Sequence, residues 1–281
     1  MASRSAVTPP PRQKRKRLSA LMRLWPRRQL RRHWWRKFRD APRGVRYLLL
    51  VMVACIAMFL VNWSYQVARK PSELFFPVSD ALYKSPTETW NVYGSLFRQH
   101  ATEVVTPALL AALAQVEGSG NPLARTYWRW SLQRRPFEVY RPASSAVGMY
   151  QMTDGTFAMA RHYCVHNHVV VEDGPWNSIA SCWFNRFYTR TLPSNAIELT
   201  AAYLDRAVAT TLMRLSMEHA TLEQKQDLAA VVHVCGAGTG EIFARRRFRL
   251  DSGQRCGKHD VHAYVMRVDQ FKKVFARLDG K

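Results

Sequence analysis

Glu117 closes an apolar run, TPALLAALAQVEGSGNP, and a Gly/Ser turn follows at once. A carboxylate at the end of a hydrophobic helix is placed to have its pKa raised by burial. A carboxyl group that keeps its proton near neutral pH can serve as a general acid, for example on a glycosidic oxygen. A second cluster, SSAVGMYQMTDGTF, places Gly148 31 positions later. Its residue types suit sugar recognition. Glycine permits close backbone approach, Gln151 carries amide donors and acceptors, and Tyr150 offers an aromatic face. Taken singly, a glutamate near a helix end is usually only solvated, and an aromatic is usually core.

The order of further motifs strengthens the pattern. Glu117, Asn121 and Pro122 come first, then Ala146, Gly148 and Gln151. Gly236 and Gly238 in VVHVCGAGTG follow, and Tyr264-Val265 in HAYVMRV comes last. Over roughly residues 104 to 270 this order resembles the lytic transglycosylase family with a soluble-lytic-transglycosylase, lysozyme-like domain. That family runs E-S-x-x-N-P, G-A-x-G-L-M-Q, A-Y-N-A-G and a late Tyr-Val. Three places depart from it: Gly118 for Ser, Met149-Tyr150 for Leu-Met, and His233-Val234 for Tyr-Asn. The interval between Glu117 and Gly148 is also longer, and the added stretch TYWRWSLQRRPFEVY is aromatic and basic. The combination is most similar to transglycosylases carried by integrative conjugative elements.

The resemblance implies a mostly α, lysozyme-like (goose-type/transglycosylase) domain and peptidoglycan glycan strands as substrate. It implies cleavage between N-acetylmuramic acid and N-acetylglucosamine. Protonated Glu117 would give its proton to the glycosidic oxygen as oxocarbenium-like charge develops. Ionised, it would take the proton of the muramyl 6-hydroxyl, which attacks C1 and leaves a 1,6-anhydro end. An intramolecular nucleophile makes a second carboxylate unnecessary. No acidic residue follows Glu117 until Glu138. Asp154 reads as a helix-start residue. Ser119, Gly148, Tyr150, Gln151, His233 and Tyr264 are the expected substrate contacts. Tyr264 is favoured among the aromatics, and Tyr127, Trp128 and Trp130 of the insert are favoured least. No cofactor is expected. The expected partners are glycan strands and components of a conjugation or type IV secretion apparatus.

Charge places this chemistry in the cell. Of the net charge of +22, residues 1–46 hold +15, from sixteen Lys/Arg against Asp40 alone, and +7 remains for the rest. The basic tail, 1–45, therefore does not argue for a nucleic-acid-binding domain, and no specific nucleic acid is expected. Residues 47–68 carry no charge. At about 1.5 Å per residue they can span a bilayer core, and 46–68 reads as a transmembrane signal anchor. Tyr47, Trp63 and Tyr65 stand near the ends, as interfacial aromatics do. The basic flank predicts a cytoplasmic N-terminus and a periplasmic domain at a bacterial inner membrane. A cleaved signal peptide is the alternative, disfavoured by the long basic lead and the lack of a small-x-small site.

After the span, 69–100 reads as an irregular stalk with a lead-in helix, and 101–281 as the catalytic domain. Pro71, Pro77 and Pro86 break helices in the stalk. Helical spacing predicts helices in WNVYGSLFRQHA, in 107–117 after Thr106-Pro107, and in TDGTFAMARHYC. It predicts others in NSIASCWFNRFYTR, in SNAIELTAAYLDRAVATTLMRL capped by Ser194, and in TLEQKQDLAAVVHV, TGEIFARRRFRL and HDVHAYVMRVDQFKKVFARL. No stretch shows period-two alternation.

Cys164, Cys182, Cys235 and Cys256 fall on the outer side, where disulfides persist. Four cysteines allow three pairings. The local one, Cys164 with Cys182 and Cys235 with Cys256, closes loops of about 20 residues, each worth on the order of 3 kcal/mol in the chain-entropy model. Cys55 lies in the span. His162, His166 and His168 invite a zinc reading, but no HExxH glutamate accompanies them, and no metal site is expected. For His233, core packing and substrate contact weigh equally.

Three other readings compete. A wall-binding scaffold of weak or no activity is motivated by His233-Val234. A hydrolytic muramidase needs a second carboxylate near Glu117 in space. A membrane-tethered nucleic-acid binder rests on the tail alone.

Overall fold

The computed structural model describes residues 35–75, 79–131, 138–178, 181–217, 219–251 and 253–280. The basic tail up to residue 34, Pro77 and the centre of the aromatic insert lie outside these residues. The chain divides into two units, Met1–Leu60 and Val61–Lys281. The described part of the first is helical: residues 35–40, then the start of helix α1, Arg43–Arg69. Helix α1 is long and apolar enough to cross a membrane.

The second unit is mostly helical. Its helices are α2 (Pro86–His100), α3 (Pro107–Gly118), α4 (Asp154–Ala160) and α5 (Pro193–Arg214). They are followed by α6 (Leu222–Cys235), α7 (Ala237–Arg245) and α8 (Val261–Asp279). Helix α3 is the centre. Leu109, Leu110, Ala111, Ala112, Leu113 and Ala114 in it are all fully buried. A helix apolar all round must be enclosed on every side, and α2, α5 and α8 surround it. Its start follows local rules: Pro107 takes the first position and the Thr106 hydroxyl accepts from Leu109 N.

The segment expected to be a stalk is packed instead. Asn62 and Gln66, at the end of α1, are buried, and Asn62 Nδ2 donates to the Tyr140 carbonyl at 2.7 Å. Glu73, in a 3-10 turn over Pro71–Phe75, is buried with Lys70 at 3.2 Å and accepts from Trp128 Nε1 at 2.9 Å. Pro86 does not break a helix. It begins α2, where Ser85 and Glu88 form a reciprocal capping box. Trp90, Tyr93 and Phe97 of α2 belong to the core, so the domain begins well before residue 101.

Among the described residues, three two-stranded antiparallel pairs stand where no strand was expected. They are β1 (Trp128–Trp130) with β2 (Tyr140–Pro142), β3 (Tyr163–His166) with β4 (Val169–Glu172), and β5 (Arg255–Cys256) with β6 (His259–Asp260). The helix expected over 153–164 stops at Ala160 because YCVHNHVVVE is a β-branched run with a two-residue turn. Asn167 and His168 both have positive φ, 49° and 67°, the requirement of a type I′ hairpin turn.

Other boundaries shift as well. The helix expected over 177–190 reduces to a 3-10 turn, Trp183–Phe187. Cys182 is bonded to Cys164 there, and Asn185 Nδ2 donates to the Tyr163 carbonyl at 2.6 Å. Ser194 does not cap α5. Pro193 already occupies its first turn, and the Ser194 hydroxyl meets His100 Nε2 at 3.1 Å. Helix α7 ends at Arg245, since Arg247 and Phe248 turn to positive φ.

Both disulfides take the local pairing, Cys164–Cys182 and Cys235–Cys256, with Cα separations of 5.3 and 5.4 Å. Cys55 is a free thiol on α1.

Candidate active site

Glu117 sits on the last turn of α3, where the helix leaves the core. Ser119 ends that helix in the left-handed conformation, φ 47°, donating its N–H back to Ala114 and Gln115 carbonyls. Asn121, fully buried, then locks the exit. Its Nδ2 donates to the Ser79 carbonyl at 2.6 Å, and its Oδ1 accepts from Leu123 N at 2.8 Å. The Glu117 side chain is left 12% exposed.

Two distant side chains reach this carboxylate. The Tyr264 hydroxyl, from the first turn of α8, donates to Glu117 Oε1 at 2.7 Å. His233 Nε2, from the last turn of α6, stands 3.7 Å from the same oxygen. Both contacts fall on Oε1. Glu117 Oε2 has no hydrogen-bond partner among the described residues.

Electrostatics keep the two neighbours in defined states. Burial pushes the Tyr264 phenol well above its usual pKa, and the Glu117 charge and their hydrogen bond push it further. It therefore stays a donor at any working pH. Burial holds the His233 imidazole below its ordinary value, while the Glu117 carboxylate and a hydrogen bond to the Tyr150 backbone push back. A neutral imidazole beside Glu117 is the dominant form at neutral pH.

The loop 146–152 forms the adjoining wall. Gly148 has φ +81°, and a Cβ there would meet the Arg190 carbonyl oxygen at 2.3 Å. A Cβ at Gly118 already lies 2.9 Å from Met149 Cα and O. The end of α3 and this loop thus touch backbone to backbone, which leaves no easy room for the serine the resemblance expected at 118. Gln151, at φ 46°, donates from Nε2 to the Ala124 and Gly148 carbonyls at 3.0 and 2.9 Å. Its amide stitches the loop, and only its Oε1 remains to accept from a ligand. Arg190 clamps the same loop through the Ser145 and Met152 carbonyls at 3.0 and 2.8 Å. Nothing in the local sequence singled out Arg190, because its role is a long-range contact.

The expected contacts thus separate. Glu117, His233 and Tyr264 converge on one oxygen, with Ser119, Gly148 and Gln151 in the loops beside them. Tyr150 does not present a face to ligand. It is 1% exposed, and its hydroxyl donates to the Leu110 carbonyl at 3.2 Å. Its ring stands edge-on to His233 at 6.4 Å, so it supports the histidine from within the core. The insert aromatics are engaged elsewhere: Trp128 is fixed on Glu73, Trp130 packs at a tilt against Tyr140 at 4.8 Å, and Tyr127 lies under Lys258 Nζ at 4.1 Å.

No family model matches this chain, and no curated sequence matches it. Asp154 occupies the first turn of α4, capped by Thr153, and pairs with Arg190 at 2.7 Å. The histidines of H-x3-H-x-H go separate ways. His162 faces Asp173 at 3.5 Å, His166 meets Cys164 Sγ at 3.3 Å, and His168 Nδ1 meets the Ala101 carbonyl at 2.8 Å. Among the described residues no group of three or more metal-type side chains converges.

Proposed function

We propose that Val61–Lys281 is a lysozyme-like lytic transglycosylase domain acting on peptidoglycan glycan, tethered to a bacterial inner membrane by α1. The observation that carries this reading is the Tyr264 hydroxyl on Glu117 Oε1, with no hydrogen-bond partner on Oε2 among the described residues. A single carboxyl, positioned on one oxygen and free on the other, suits a group that must give and then take one proton at one place. Both side chains that touch it, a phenol and an imidazole, are non-acidic, as intramolecular attack by a muramyl 6-hydroxyl requires no second carboxylate.

In this reading protonated Glu117 donates from Oε2 to the oxygen leaving muramyl C1. That C–O bond breaks as positive charge spreads over C1 and the ring oxygen. The resulting carboxylate is held by the Tyr264 hydroxyl and faces the His233 ring. It accepts the proton of the 6-hydroxyl as that oxygen bonds to C1, and Glu117 is protonated again. The disulfides agree with an oxidising compartment such as the periplasm, and the basic N-terminus with a cytoplasmic start. Local wall opening for a conjugation or type IV secretion apparatus is the task that suits a tethered enzyme.

The test is mass spectrometry of sacculi digested by the detergent-solubilised full chain, beside Glu117→Gln. Anhydromuramyl products that disappear in the variant support the reading. Reducing ends instead would mean a hydrolytic muramidase, and glycan binding without products from a folded sample would mean a scaffold.

A further inference from the structure

A second site lies away from Glu117's contacts, beside strands β1 and β2. Arg69, Lys70, Arg129, Arg141 and Arg190 line a cavity of about 270 Å³, where Asp154 is the one lining carboxylate among the described residues. Two of the cations share one anion: Arg69 and Arg141 both bind Glu138, at 3.1 and 2.9 Å. Arg190 takes Asp154 at 2.7 Å. Lys70 is directed inward, with Nζ at 2.9 Å from the Ala146 carbonyl and 3.2 Å from Glu73. Arg129 has no carboxylate partner among the described residues. Five cations against Glu138, Asp154 and Glu73 leave this open cleft with surplus positive charge, which an entering anion would offset. Burial lowers the Lys70 pKa, the Glu73 charge and hydrogen bond push it back up, and the Arg190 charge lowers it.

Position selects the anion. Arg69 ends a helix whose preceding 22 residues are uncharged. Trp63 and Tyr65, partly exposed, stand one to two turns before it. If α1 crosses a bilayer, this is the depth of lipid headgroups, where such aromatics and cations gather. Guanidinium forks match the oxygens of a phosphate diester.

We propose that this cavity binds the phosphate of an anionic phospholipid headgroup, which holds the domain at the membrane surface beside the end of its own anchor. The proposal rests on α1 crossing the membrane and is independent of the chemistry at Glu117.

Native mass spectrometry of the detergent-solubilised full chain tests it, with phosphatidylglycerol and phosphatidylcholine titrated in parallel. The expected result is one phosphatidylglycerol retained selectively. Arg129→Gln should bind it about tenfold more weakly, the loss of one charge-assisted hydrogen bond. Because Arg129 makes no ion pair with a described residue, this variant keeps the fold. Arg69→Gln combined with Arg129→Gln should weaken binding further. Equal retention of both lipids, or equal affinity across variants, overturns the proposal. Displacement of the lipid by inorganic phosphate at matching concentration, or by a soluble wall stem peptide, overturns the lipid assignment. Glycan cleavage by Arg129→Gln should equal wild type, so failure here is separate from failure of the transglycosylase reading.

Discussion

Tyr264 and Glu117, 147 residues apart in sequence, meet through one hydrogen bond of 2.7 Å. The bond joins the first turn of α8 to the last turn of α3, two helices packed along each other. Tyr264→Phe keeps the buried ring and removes the donor. It should lower kcat by about tenfold, one hydrogen bond to a charged group, with KM little changed. Glu117→Gln removes the transferable proton and should cost about a hundredfold or more. The rate of anhydromuramyl product release measures both. An active Glu117→Gln enzyme would end the assignment.

His233 and His100 are both buried histidines whose pKa is held below the ordinary 6.5 by burial. The unfolded chain takes up protons near 6.5, and the folded chain resists doing so. Stability is therefore full above about 6.5 and falls as pH drops below it. Thermal melts from pH 7.5 to 5 should show this slope. His233→Gln should reduce it without abolishing it, because His100 contributes with the same sign.

Asp227 behaves oppositely. Burial, with Asp269 and Glu223 nearby, raises its pKa from 3.8 to about 6. The folded state holds a proton that the unfolded state releases, so this stability is present below about pH 4 and lost by about pH 6. Asp227→Asn should melt a few degrees higher than wild type at pH 7, with the gain vanishing near pH 4. No gain at pH 7 would contradict the raised carboxyl.

Gly148→Ala adds a Cβ 2.3 Å from the Arg190 carbonyl at φ +81°. Left-handed strain and the clash together should cost about 2 kcal/mol or more. For a domain of this size that is a melting shift of roughly 4–8 °C. Gly118→Ser meets backbone at 2.9 Å and should disturb the same contact, lowering activity more than stability because Glu117 is its neighbour. Calorimetry beside product release separates the two effects.

The Cys235–Cys256 bond ties the end of α6, two residues past His233, to the hairpin that leads into α8 and Tyr264. Replacing both cysteines by serine should cost on the order of 3 kcal/mol. It should also reduce cleavage more than loss of Cys164–Cys182 does, since only the former braces both neighbours of Glu117. Equal activity losses would show that the bond acts on stability alone.

Much of this molecule was legible before any coordinates. The apolar run 107–117 between Thr106-Pro107 and a Gly/Ser turn specified a helix with Glu117 at its end, because caps and apolar periodicity are local signals. The uncharged stretch 47–68 specified a helix fit for a membrane. Boundaries failed where tertiary contacts overrode propensity. The Asn167-His168 turn made a hairpin of an expected helix end, and Cys164–Cys182 with Asn185 shortened another.

The chain's order of residues by itself determined its helical character, its apolar N-terminal helix and the placing of one carboxyl at a helix exit. Each depends on neighbours a few positions away. Tertiary structure alone decided that Tyr264 and His233 share Glu117 Oε1, that Tyr150 turns into the core, and that the supposed stalk is packed on the domain. Those outcomes depend on which distant surfaces exclude water together, and sequence spacing does not encode that.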